Sequence, residues 1–127
     1  MHHFPGGAAE AVEAVLEGLR APVSRPAEGE WGVALDDVGG WPLDVGLRAR
    51  DGLLAMQAEV LGPGLADPHM LLHRNRLGVL VRYAHSSAGA VHVHAELPLA
   101  AVDAPTVDRV LALLVEAAEW ARAGAAR

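Results

Sequence analysis

The sequence has no cysteine. That excludes disulfide frameworks, thiolate metal sites and a thiol nucleophile together, and it leaves the redox compartment open. Lysine is missing too, so all ten basic side chains are arginine. With abundant Ala, Gly, Val and Leu, this is the bias of a GC-rich bacterial genome, with arginine doing the surface work of lysine. Cations are outnumbered by sixteen Asp and Glu, for a net charge of −6. A nucleic-acid-binding protein needs a basic footprint to release counterions, so DNA or RNA is not expected as the main ligand. Long apolar runs are absent as well. The longest, such as Val110 to Val115, fall far short of the ~20 residues that span a bilayer. The start, Met1-His2-His3-Phe4-Pro5-Gly6-Gly7, lacks the basic and apolar regions of a secretory signal. The expected compartment is the cytoplasm, with no membrane contact. Gly39-Gly40 and Gly62-Pro63-Gly64 lack the Lys and helix context of a phosphate loop. Ser24, Ser86 and Ser87 lie in loops with no nucleophile elbow.

What is present fits one domain over residues 1–127, with 1–6 expected as a flexible start and 123–127 as a frayed end. Hydrophobic residues make up 52% and charged residues 20%, a globular composition. Val12, Val15, Leu16 and Leu19 repeat at helical spacing, which predicts a first helix over Ala8–Arg20. Pro22 to Gly29 reads as a loop. Three strands follow from alternation: Trp31, Val33, Leu35; then Leu43, Val45, Leu47; then Leu54, Met56, Ala58, Val60. Turns are expected at Asp36–Gly40 and at Arg50-Asp51-Gly52. Asp67 caps a short helix from Pro68 to about Asn75. A fourth strand carries Val79, Val81 and Tyr83 on one face. A fifth carries Val91, Val93, Ala95 and Leu97. Between them Ser86–Gly89 forms a type I turn, with Gly89 left-handed. Asp103 caps a last helix to about Arg122, with a stripe of Val107, Val110, Leu111, Leu114, Ala118 and Ala121. The class is α+β: helix, three antiparallel strands, short helix, two strands and long helix, with the helices packed on a five-stranded antiparallel sheet.

That order resembles the YbjN family, which has the fold of class I type III secretion chaperones. Met70-Leu71-Leu72-His73-Arg74-Asn75-Arg76 is similar to the family's short Leu-rich helix ending in Asn. Glu96-Leu97-Pro98-Leu99 resembles its leucine-proline strand end, and Pro105 to Trp120 its closing amphipathic helix. The resemblance implies a homodimer that binds a segment of a client protein, in a stress response or elsewhere, without enzyme activity and without a cofactor.

Other candidates come from the residues themselves. His69 and His73 lie four apart on one helix face, a zinc geometry that lacks a third ligand. His92, His94 and Glu96 share one strand face, as a metal triad or as the plain polar face of the strand. Met1-His2-His3 could chelate copper or nickel, or be a free terminus. Asp36-Asp37 is an acid pair in a turn. Arg74, Arg76 and Arg82, with Arg48 and Arg50, could form a patch beside His73 for an acidic partner. Partner binding is therefore expected at Arg74, Arg76, Arg82, His92, His94 and Glu96. Dimerisation is expected at Met70, Leu71 and Leu72, which cannot all turn into one core. Two other readings belong to different classes. One is a metal or small-ligand sensor using His69/His73 or His92/His94. The other is an accessory factor binding DNA or a DNA-repair or nucleoid protein.

Overall fold

A computed structural model describes residues 6–125; the Met1-His2-His3 candidate lies outside them. Helix α1 (Gly6–Gly18) buries Ala8, Ala11, Val12 and Leu16 on one stripe. Strands β1 (Val23–Ser24), β2 (Glu30–Val38), β3 (Trp41–Arg50) and β4 (Leu53–Leu61) form a meander. Helix α2 (Pro68–Asn75), strands β5 (Arg82–His85) and β6 (Val91–Pro98), a 3-10 turn and helix α3 (Ala104–Ala125) complete the chain. The sheet order is β1-β2-β3-β4-β6-β5, and every neighbouring pair is antiparallel.

The sheet has six strands, where five were expected. The extra one, β1, lies in the stretch read as a loop. It pairs Val23 with Val33 and Ser24 with Gly32, and the Ala34 N–H donates to the Pro22 carbonyl. Its flanking prolines hid it, although an edge strand tolerates proline because its outer N–H needs no partner. The strand expected around Val79–Tyr83 also starts later. Leu80 adopts a left-handed φ of 64°, which breaks the alternation. Val79 is thrown out to solvent, while Val81 and Tyr83 stay buried.

Alternation decides the layers. Trp31, Val33, Leu43, Val45, Leu47, Leu54, Met56, Val93, Ala95 and Leu97 point from one sheet face into the core. The expected stripe of α3, from Val107 to Ala121, covers them together with α1. Asp51 and Gly52, with φ of 53° and 77°, make the tight β3–β4 turn. Gly89, at φ 92°, closes the β5–β6 turn by donating its N–H to the Ser86 carbonyl. Asp103 caps α3 by accepting from the Thr106 N–H at 2.9 Å. No helix among the described residues is long and apolar enough to cross a membrane.

Polar contacts from Arg122 and Glu13 help to fix α3 and α1 on the sheet. Near the end of α3, Arg122 is buried and has no carboxylate partner among the described residues. Its guanidinium instead donates to the carbonyls of Val60, Val38, Trp41 and Pro42 at 2.8–3.1 Å. Val60 and Val38 sit where the strand registers shift, between Glu59 and Leu61 and between Leu35 and Val38. A bulge disrupts the local ladder, and the arginine supplies donors there. Burial pushes its pKa below the usual arginine value. On α1, Glu13 accepts from the Trp31 indole N–H at 2.9 Å and from Arg25. These bonds, Arg25's first and Trp31's second, hold its carboxyl at about 2.

Arg122→Leu should lower the unfolding free energy by about 3 kcal/mol, because four carbonyls lose a charged donor at once. The urea midpoint measures this. Glu13→Gln should lower the melting temperature at pH 7. A carboxylate with a depressed folded pKa contributes stability above its ordinary value of 4.5 and loses it as pH falls. The gap between wild type and variant should therefore shrink from pH 4.5 towards about 2 in melts recorded against pH.

Candidate protein-binding surfaces

The face of the sheet opposite the helices is open. Register places its side chains in rows across the strands. One row runs Ser24, Gly32, Gly46, Gln57, His94, Arg82. A second runs Glu30, Arg48, Ala55, Glu96. Where small residues meet on the open side of β2, β3 and β4, a groove of about 690 Å³ lies between longer polar side chains. Its floor includes Gly32, Ala34, Gly46 and Ala55, and its rim includes Pro26 and Arg48. Gly46 has no backbone need to be glycine: a Cβ there would meet only the Gln57 carbonyl, at 3.9 Å. A glycine inside a strand often marks close approach by another group.

A second surface surrounds α2. Asp67 caps this helix by accepting from the His69 N–H. Leu71 turns inward and is buried, whereas Met70 and Leu72 are 55% and 66% exposed. Leu77, Val79 and Leu80 continue the exposed apolar stretch. The helix is anchored at its end. Arg74 lies over the Trp120 ring at 4.7 Å, and Trp120 packs at a tilt against Tyr83. The Tyr83 hydroxyl donates to the Ala117 carbonyl, and burial pushes its pKa up to about 12.

The expected partner-binding residues therefore divide. Arg82, His92, His94 and Glu96 do share the open face. Arg74 does not join them, because α2 sits at the β5 edge against α3 and its guanidinium is spent on Trp120. Arg76 is exposed beyond α2. Arg48 on β3 and Arg82 on β5 are three strand spacings apart, about 14 Å, so these arginines form no single basic patch. Of the three residues expected at an interface, Leu71 belongs to the protomer's own core. His92 lies 3.8 Å from Glu59, but among the described residues no three His, Asp or Glu groups could hold a metal ion. Neither His69/His73 nor His92/His94 acquires the third ligand of a zinc site. Trp31 is a core residue, and Trp41 is half exposed beside Arg122. Sequence reasoning passed over the glycine floor, since Gly32 and Gly46 are adjacent only once the β2–β3 register is known.

Comparison with solved structures settles the fold. ExsC in the ExsC–ExsE complex superposes with a TM-score of 0.67 at 19% identity, over 91% of this chain and 92% of that one. The Yersinia pestis type III secretion chaperone SycH, in complex with a stable fragment of YscM2, gives 0.66 at 17%, over 87% and 96%. In the ExoU–SpcU complex of the Pseudomonas aeruginosa type III secretion system, the matched chain gives 0.60 at 19%, over 89% and 96%. The fold is that of type III secretion chaperones. No family model and no curated protein matches the sequence, so the chaperone fold is shown and membership of YbjN is not.

Leu71→Ala should cost about 2–3 kcal/mol, as for a buried leucine. Leu65→Ala, at an exposed leucine, should change stability by only about 0.5 kcal/mol. Paired urea titrations separate the two.

Proposed function

We propose that this chain is a non-catalytic, cytoplasmic protein-binding module that works as a homodimer and holds a segment of a client protein. The observation that carries this is the exposed apolar stretch Met70, Leu72, Leu77, Val79 and Leu80, on a chain with the chaperone fold. Soluble monomers rarely leave such a patch uncovered. A second copy covers it in this reading. The open sheet face is left for the client, its small-residue floor admitting close contact and Arg82, His92, His94 and Glu96 setting orientation around it. The chain's net charge of −6 favours a client segment with a basic character. The fold likeness to proteins solved as complexes with partner proteins supports the reading.

Light scattering at micromolar concentration should give twice the 13.3 kDa chain mass. Met70→Glu with Leu72→Glu should give 13.3 kDa with the circular dichroism spectrum of the folded wild type. A wild-type protein that is monomeric under these conditions contradicts the homodimer. Capture from an extract of the source cell should retain a discrete polypeptide on wild type and lose it on Gly46→Arg.

A further inference from the structure

Helix α2 is held to the protomer by one side, and that fixes what its other side offers. Leu71 is its one buried side chain. One turn on, Asn75 closes the β5 edge: its Oδ1 accepts from the Tyr83 N–H at 2.8 Å, and its Nδ2 donates to the Tyr83 carbonyl at 3.0 Å. At about 100° of turn per residue, the midpoint between His69 and His73 falls about 180° from Leu71. The same spacing sets Met70 about 80° to one side of the pair and Leu72 about 80° to the other. The two histidines therefore occupy the middle of the outward face, and the two exposed apolar side chains flank them. Both are exposed, and among the described residues neither imidazole has a hydrogen bond or an ion pair.

Two histidines four apart on a helix bring their Cβ atoms to about 5–6 Å, close enough for both rings to reach one metal ion. A structural zinc site needs four ligands, and among the described residues no three His, Asp or Glu groups could hold a metal ion. One protomer therefore carries half a site. A copy that covers both Met70 and Leu72 must lie across the face between them, which takes both imidazoles out of water. Buried ring nitrogens without partners are costly, so such an interface needs something that uses them. In a two-fold contact the same patch meets itself, and facing α2 helices bring two pairs of imidazoles together. The chain's net charge of −6 favours a cation there. Arg76, at the end of α2, opposes it, while Arg74 is turned away over the Trp120 ring.

We propose that the homodimer binds one zinc ion on its two-fold axis, held by His69 and His73 of each protomer in a tetrahedral site of four imidazoles. The ion ties the two α2 helices together at the centre of the contact, with Met70 and Leu72 packed around it. Zinc is then a structural ligand of the dimer, and its availability sets how much dimer forms. This rests on the homodimer reading and adds to it what occupies the middle of the interface.

The test uses the full-length chain, stripped with EDTA and returned to zinc at neutral pH. Metal analysis after gel filtration should give one zinc per two chains. Cobalt(II) in place of zinc should give the strong visible absorption of a tetrahedral site. With free zinc at about ten times its dissociation constant from the dimer, the dimer dissociation constant should fall about tenfold against the stripped chain, as linkage requires of a ligand bound only by the dimer. Light scattering against concentration measures this. His69→Ala with His73→Ala should keep the folded circular dichroism spectrum and lose the zinc, the cobalt band and the zinc dependence. His2→Ala with His3→Ala, and His92→Ala with His94→Ala, should lose none of them. Equal dimerisation in EDTA and in zinc, with no ion at one per two chains, overturns the site and leaves the homodimer standing. A chain that stays monomeric in both overturns the homodimer reading and, with it, the site. Zinc carried by monomers at one per chain, or kept by the His69→Ala, His73→Ala variant, overturns the site alone.

Discussion

A single buried guanidinium sets the geometry of this molecule. Arg122 gathers four carbonyls from three strands, two of them at bulges where the strand ladders slip. A lone buried charge is costly unless its hydrogen-bonding capacity is used, and here it meets acceptors that the bulges had left short of donors. The contact fixes α3 in rotation and along its axis. Ala117 and Trp120, one and a half turns back or less, are thereby brought to Tyr83 and Arg74. Those residues place α2, and α2 decides which apolar side chains face solvent. The exposed stretch and the closed β5 edge are thus downstream of an arginine that touches neither.

The same logic separates the two candidate surfaces. The open face is shaped by what is missing: Gly32 and Gly46 are partners in register, and the floor they make belongs to the backbone. The α2 surface is shaped by what is surplus, since eight residues can bury one leucine and must leave Met70 and Leu72 outside. One surface suits close approach of another group and the other suits coverage by an apolar counterpart.

The layers of the fold were legible because they follow period. Strand alternation at Trp31–Leu35, Leu43–Leu47, Leu54–Val60 and Val91–Leu97, and the 3.6-residue stripe from Val107 to Ala121, each named the side that would be buried. β1 was not legible, since a two-residue strand in a stretch bounded by prolines carries no period and is recruited by the edge of β2. Leu80 misled the reading of the fourth strand, because alternation assumes an extended backbone and its φ is left-handed. Arg122 stands four residues after Ala118 and so on the apolar stripe of α3; a charged residue in that place was the signal for a buried cation. Of the candidate site, the polar strand face from His92 to Glu96 could be read directly. The separation of Arg74 from Arg82 could not, because it depends on which side of the sheet α2 settles.

Helices α1 and α3 lie on the same sheet face and against each other. On a ribosome, α1 and the meander emerge while α3 is still inside the exit tunnel or not yet synthesised. The apolar face from Trp31 to Met56 then has only half its cover, and the bulge carbonyls have only water. A chain of this design completes its core only once α3 has emerged. Until then it presents the kind of apolar sheet surface that cellular folding factors recognise.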